Sequence, residues 1–533
     1  MLIALLPETI LVAAALVVLG LGVSVPKSRA LITAATLLGG FAAAAAIFLL
    51  PSDGNFLHGM VVLEPLARMF KLVILGLGLT AVVFASDSFP ETHFAESLAL
   101  VLFSTVGMML LAGTEDLLMI FIALELTSIP LYILAAFDKQ SRSSAEAGLK
   151  YFLIGSVSAA FLLYGLSLIY GVTGSTNLQA IARFSGAPDP LLIAGIVLTL
   201  AGFAFKVAAV PFQLWAPDVY EGAPTAAAAL IASGSKVAGI FILARILTAG
   251  LGSWAGSAGW GQFLPGWAPV LALMAAASVV LGNIAALVQS NVKRLLAYSA
   301  IAHGGYLLIG LSSASRGSLT AVLFYVVIYA LTTAGAFGAV AIVEKQRGGS
   351  RLDDFDGLAK SSPVLALCLL VFFISLAGIP PLAGFFGKFY LFTAALGNPS
   401  LLWLVILAVA MNAVSLYYYL IVLKHAFVFP APEGIRPANA PASGFLVAAL
   451  ALAVLALGLA PDILLTPLAN TIASPARPGA TASTGVPPVS GARHFLCGRQ
   501  PPNGRDARSP LAAPRHPNDF DAFACRKPAA ETP

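Results

Sequence analysis

Apolar runs of about 20 residues recur along the chain between short polar loops, and each is long enough for a helix to cross a bilayer core of about 30 Å. Fourteen such spans are expected, near 2–22, 30–50, 62–85, 94–113, 116–137, 145–170, 190–220, 224–249, 267–289, 292–312, 318–343, 363–397, 401–427 and 443–466. The first run begins at Met1 without a basic leader and contains Glu8, so it reads as a retained span rather than a cleaved signal. Beyond Ile472 the pattern stops. Residues 473–533 hold eleven prolines, scattered arginines and no apolar run able to span or pack, and are expected to be disordered.

Two spans carry helix breakers. The seventh holds Pro211 and Pro217, and the twelfth holds Gly378, Pro380, Pro381 and Gly384. Proline removes a backbone donor and clashes with the preceding turn, so both spans should be interrupted. Broken backbone at membrane depth survives only where protein or a watery cavity satisfies it. Spans four to eight (about 94–249) and nine to thirteen (about 267–427) form two blocks of five helices, each with its interrupted helix fourth. An odd number of crossings per block inverts one block relative to the other, an architecture of many secondary ion transporters. The fold class is therefore an all-α polytopic membrane bundle, residues 1–472, with two inverted five-helix repeats.

Composition agrees. Hydrophobic residues make up 59% of the 533 and charged residues 10%, against roughly 25% charged in ordinary globular proteins. The tail holds eight Lys+Arg and four Asp+Glu, leaving 21 basic and 20 acidic residues elsewhere, so nothing points to nucleic acid. Alternate loops carry twelve basic residues (Lys27, Arg29, Lys139, Arg142, Lys293, Arg294, Lys345, Arg347, Arg351, Lys360, Lys424 and Arg436) against Arg183 and Arg316 in the other set. Assigning Arg68, Lys71 and Arg245 to the poorer side leaves the bias intact, which orients both termini outside the cytoplasm. Cys368, Cys497 and Cys525 fall in no paired spacing, which excludes a thiolate-held cluster or structural zinc within the chain.

The candidate chemistry lies in charges where the lipid should forbid them. Glu125 sits near the centre of span five, Lys206 just before the break in span seven, Lys236 in mid-span eight, and Lys388 after the break in span twelve. Each costs about 2.5–3.5 kcal/mol at the bilayer centre, so four sum to roughly 10 kcal/mol unless they pair, neutralise or line water. They could be structural ion pairs that lock helices together. Three of the four are lysines, however, and burial disfavours a lysine's charged form until it exchanges protons near neutral pH, which an arginine does not do. A lysine beside a broken helix suits a proton relay.

Secondary relay candidates are Glu146 and Lys150, also readable as a simple i,i+4 pair; His303 inside span ten, also readable as a satisfied core histidine; and Lys293, also readable as a topology anchor. Tyr298, Tyr306, Tyr325 and Tyr329 could hydrate such a path or simply pack, and Asp218 and Glu221 read as loop-ordering groups. His58, His93 and His425 belong to no evident ligand constellation. No GxxxxGK[ST], HExxH or GxSxG occurs, so no nucleotide, flavin or metal is expected on this chain.

LELTSIPLYIL around Glu125, FKVAAVPFQLWAPDVYEGAPT around Lys206, NVKRLLAYSAIAHGGY leading into span ten and GIPPLAGFFGKFYLF around Lys388 resemble the antiporter-like subunits of proton-pumping NADH:quinone oxidoreductase, complex I. The resemblance covers about residues 1–470 and is greatest to subunit N, since the lysine in span twelve fits N and the tail cannot form subunit L's lateral helix. It implies a bacterial inner-membrane subunit surrounded by lipid and by related antiporter-like subunits. Glu125, Lys206, Lys236 and Lys388 would translocate protons, assisted by Glu146, Lys150 and His303. FMN, iron–sulfur clusters and quinone are implied for other subunits, with none bound here. An Mrp-type Na⁺/H⁺ antiporter subunit, a membrane-bound hydrogenase arm and a non-pumping structural subunit are the alternatives.

Overall fold

In the computed structural model, residues 2–473 are described except 52, 57–58, 91, 187–188, 260, 399–400 and 432–439. The tail expected to be disordered lies outside the described residues apart from Ala473, as do His58, Arg436, Cys497 and Cys525.

Helices make up nearly all the fold. They are α1 Leu6–Ser24, α2 Arg29–Leu49, α3 Pro65–Ser88, α4 Phe94–Ala112, α5 Leu117–Ala135, α6 Arg142–Thr173, the short α7 Leu178–Ala182, α8 Pro190–Val207, α9 Trp215–Gly222, α10 Thr225–Leu230 and α11 Lys236–Arg245. There follow α12 Trp267–Ala286, α13 Val292–Ser312, α14 Arg316–Arg347, the short α15 Leu358–Ser361, α16 Pro363–Ala377, α17 Ala383–Leu396, α18 Leu402–Phe427, α19 Pro441–Leu459 and α20 Asp462–Ala473. Two small antiparallel hairpins, β1 Gly54–Phe56 with β2 Val61–Leu63 and β3 Ser257–Gly259 with β4 Gln262–Leu264, close loops between helices.

Local chemistry sets the boundaries. Asp116, Ser141, Asn177, Asp189, Asn291 and Ser315 accept hydrogen bonds from the first-turn amides of α5, α6, α7, α8, α13 and α14, satisfying donors that have no partner inside the helix. Proline opens α1, α3, α8, α16 and α19, where its missing N–H costs nothing. Left-handed Gly174, Gly348 and Gly378 close α6, α14 and α16.

Among the described residues, thirteen helices are long and apolar enough to cross a membrane, counting Thr225–Gly250 as one. The expected twelfth span consists of the two shorter apolar helices α16 and α17, and taking them together gives the expected fourteen. The seventh is split as well, into α8 and α9. Its break falls at residues 208–214, where Ala208 is left-handed (φ 57°) and Pro211 follows. Pro217, expected to contribute to the break, instead lies in the first turn of α9, where proline is tolerated. Gly384 likewise lies inside α17. A Cβ there would collide with the Ser375 carbonyl, so this glycine serves the close approach of α17 to α16.

The core is the stack of Thr225–Gly250, α13 and α14, whose apolar windows are 100%, 94% and 94% buried against 28–33% for α1, α2, α6, α18 and α19. Helix α14 packs on α10, α11, α13, α16, α17 and α19, and so touches both halves of the split twelfth span. Between α10 and α11 the chain winds as a wide π turn, Ile231–Ser235, and a second follows at Ile246–Gly250.

Candidate functional site

Lys206 occupies the last turn of α8, and Lys388 occupies α17 just past the other break. Lys206 belongs to the carbonyl end of one half-helix and the Lys388 amine reaches the carbonyl end of another, where partial negative charge favours a cation. Lys206 is 6% exposed and donates to Ser128 Oγ of α5 at 3.0 Å, while that hydroxyl donates to the Leu124 carbonyl at 2.6 Å. Lys388, 4% exposed, donates to the Leu376 and Ala377 carbonyls at the end of α16 (2.6 and 3.4 Å) and to Asn412 Oδ1 of α18. Lys236, 2% exposed, follows the first π turn and donates to the Ala300 carbonyl of α13 at 2.5 Å, beneath the Tyr329 ring. A π turn offsets the helical phase, which is how a lysine in this helix is aimed across at α13.

None of the three forms an ion pair among the described residues; each rests on neutral oxygens. Glu125, half-buried on α5 three residues before Ser128, acts on Lys206 through space without touching it. Glu125 and Lys206 therefore do not form a closed ion pair; Lys206 rests instead on Ser128, which shares α5 with Glu125. Pro130 follows within α5 and cannot supply an amide to the Leu126 carbonyl, a weak point beside the carboxylate.

The secondary candidates fall into two groups. His303 lies between the Lys236 and Lys388 regions, 2% exposed, hydrogen-bonded to Tyr325 Oη (2.5 Å) and Tyr419 Oη (3.1 Å). The others gather at the end of the bundle where α6, α9 and α13 meet. Lys150 pairs with Glu146 at 2.6 Å and with Asp218 at 2.5 Å, and Asp218 also takes Arg294 at 2.6 Å, which reaches Glu221 at 3.0 Å. Asp218 and Glu221 thus join the first five-helix block to the second, beyond the loop-ordering expected of them. Burial pushes the Asp218 carboxyl up, but the hydrogen bonds from Lys150 and Arg294 outweigh it and hold the group below the usual carboxylate range. Lys293 is 5% exposed, pairs with Glu344 at 3.1 Å and donates to the Ala223 carbonyl and Thr225 Oγ1, so it is more than a topology anchor.

Several polar groups were not singled out in the sequence. Lys71 and Glu8 form a buried ion pair at 2.6 Å between α3 and α1. Arg245, buried in α11, pairs with Glu64 and donates to the Thr114 carbonyl at 3.2 Å. Nearby, burial raises the Glu115 carboxyl, partly offset by the Gln179 amide at 3.5 Å. His425 was read as lacking a ligand constellation, yet its ring approaches Asp353 and Asp356, the three ligand atoms lying within 4.8 Å of one another. The segment after α14 folds back on α18 to bring them together, and a contact of His425 Nδ1 with Asp356 Oδ1 at 2.6 Å occupies the place.

Residues 114–414 match the family described as NADH:quinone oxidoreductase/Mrp antiporter, transmembrane. Over 450 residues the chain is 48% identical to NADH-quinone oxidoreductase subunit N 2 of Acidobacterium capsulatum, covering 82% of this chain and 91% of the relative. Among solved structures, a chain of Thermus thermophilus respiratory complex I with bound aureothin is 36% identical at a TM-score of 0.74, covering 87% of this chain and 99% of that one. A chain of the Mrp complex from Dietzia shares the fold at a TM-score of 0.77 and 24% identity, covering 89% and 97%.

Proposed function

Because this chain belongs to the NADH:quinone oxidoreductase/Mrp antiporter transmembrane family, with subunit N among its relatives, we propose that it is a membrane-arm subunit that translocates protons. Glu125, Lys206, Lys236 and Lys388 form the relay, coupled to NADH oxidation and quinone reduction in neighbouring subunits. The chain sits in the cell inner membrane with both termini outside the cytoplasm, as its basic loops favour. The observation that carries the reading is the state of the three lysines. Each is buried, each is held only by neutral oxygens, and each can therefore give up its proton without stranding a partner carboxylate.

Glu125 is the mobile control. With its carboxylate near, Lys206 is favoured as an ammonium; moved away by a few ångströms, it leaves a charge that burial alone opposes, and the proton passes on. Moving a proton against about 150 mV costs roughly 3.5 kcal/mol, within reach of changing one charge contact in a low-dielectric interior. The groups at the α6–α9–α13 end, Glu146, Lys150 and Asp218, are suited to gather protons from the adjoining water, with Lys293 just inside them.

Lys206→Ala in the assembled complex should abolish NADH-driven proton uptake into inverted vesicles. Full proton pumping by that variant would refute the relay.

A further inference from the structure

We propose that Ser299, Tyr419, His303 and Tyr325 form a hydroxyl–imidazole wire carrying protons from the Lys236 station to the Lys388 station. The proposal rests on the relay reading above and specifies its middle section, with Tyr419 and Tyr325 as relay residues. Ser299 Oγ and Tyr419 Oη lie 2.5 Å apart, Tyr419 Oη lies 3.1 Å from His303 Nε2, and His303 Nδ1 lies 2.5 Å from Tyr325 Oη. The four groups come from three helices, α13, α18 and α14, and none is more than 2% exposed.

The ends of the wire lie beside chain neighbours of the groups that hold the lysines. Ser299 precedes Ala300, whose carbonyl holds the Lys236 amine. The Tyr325 ring packs against Gly387, the residue before Lys388. The wire requires a lysine swing or an intervening water at each end, since the lysine amines rest on other oxygens. A buried tyrosine kept for packing requires one hydrogen-bond partner. Here the Tyr419 hydroxyl has two, and both imidazole nitrogens are engaged, so the contacts form one continuous path.

The proton count balances along it. A neutral imidazole has one donor and one acceptor nitrogen, and each hydroxyl both donates and accepts. The Lys236 ammonium gives its proton toward Ser299 Oγ, and Ser299 passes its own O–H proton to Tyr419 Oη. Tyr419 passes its phenolic proton to His303 Nε2, His303 releases the Nδ1 proton to Tyr325 Oη, and Tyr325 hands its proton to the neutral Lys388 amine. Each of the four groups ends with the number of protons it began with. Lys236 is left neutral and Lys388 charged. The imidazole is left in its other tautomer, so it and the hydroxyls must reset before a second proton follows.

The test uses the whole complex in inverted membrane vesicles, with assembly checked on native gels. Tyr419→Phe, Tyr325→Phe, Ser299→Ala and Ser299→Thr are compared with Lys236→Met for NADH-driven proton uptake and its solvent deuterium isotope effect. Tyr419→Phe, Tyr325→Phe and Ser299→Ala should each lower uptake about fivefold or more and change the isotope effect, while Ser299→Thr, which keeps the hydroxyl, stays near the parent. Normal uptake and isotope effect in the two Phe variants, with loss in Lys236→Met, would overturn the wire and leave the relay standing. Normal uptake in Lys236→Met would remove the relay itself. Equal losses in Ser299→Ala and Ser299→Thr at full assembly would show that the hydroxyl does not conduct. Should a Phe variant fail to assemble, the serine pair decides the matter alone.

Discussion

Lys71 offers the sharpest contrast with the relay lysines, because it is equally buried but holds a carboxylate. Lys71→Met leaves Glu8, itself 3% exposed, as an uncompensated charge between α1 and α3. At 2.6 Å and an effective dielectric of about 20, the Coulomb attraction lost is about 6 kcal/mol. Set against the ion's own desolvation, the loss should appear as about 3–5 kcal/mol of destabilisation. Beyond Lys71, no described residue donates a hydrogen bond to either Glu8 oxygen, so the pair lacks the further contacts that make a buried ion pair repay its desolvation. Glu8→Leu combined with Lys71→Met should therefore return to within about 2 kcal/mol of the parent or exceed it. Thermal unfolding of the purified complex in detergent measures the cycle, and proton uptake per NADH oxidised measures function. Assembled Lys71→Met complex should pump at the parental ratio. The reasoning fails if Lys71→Met is as stable as the parent, or if it loses pumping per assembled complex while remaining stable.

The end network and the glycines beside the lysines give two more tests. Asp218→Asn removes a carboxylate that is 26% exposed and pairs with Lys150 and Arg294, and should cost about 1 kcal/mol, since solvent screens such pairs. Because the folded carboxyl is held below its ordinary value, this stabilisation is present above about pH 4 and is lost as pH falls through the lowered folded value. The parent's thermal midpoint should fall more steeply than the variant's over that acid range, and parallel profiles would contradict the assignment. Gly304→Ala places a Cβ 3.0 Å from the Val207 carbonyl and 3.8 Å from Lys236 Nζ, whereas a Cβ at Gly76 meets nothing within 4 Å. Proton uptake should fall in Gly304→Ala and stay unchanged in Gly76→Ala; equal activities would mean that Lys236 needs no room.

The parts of the fold legible in the sequence are those that local chemistry dictates. Residues 375–384 announce a break because proline and glycine cannot continue a helix, and a lone lysine in an apolar run announces itself by its cost. Which breaker does what was less legible, as Pro217 and Gly384 show, since helix interiors accept proline in the first turn and glycine at close packing. Partners were hidden. Lys71 finds Glu8 and Lys293 finds Glu344 across long stretches of chain, and no spacing rule connects them. Tyr419 reads as one aromatic among several in SLYYYL, and only the approach of α18 to α13 brings its hydroxyl to His303. The absence of ion pairs at the relay lysines, the basis of the functional reading, is likewise a fact of packing.

The π turn ahead of Lys236 amounts to one surplus residue in the helical winding, and each residue advances that winding by about 100°. Deleting a single residue from Ile231–Ser235 would let the segment close into regular coils while keeping its length and apolar character. Everything downstream would rotate by roughly a quarter-turn, carrying the amine off the Ala300 carbonyl and Arg245 off Glu64 together. One lost codon would thus leave a helix that inserts and packs, yet points its charges the wrong way.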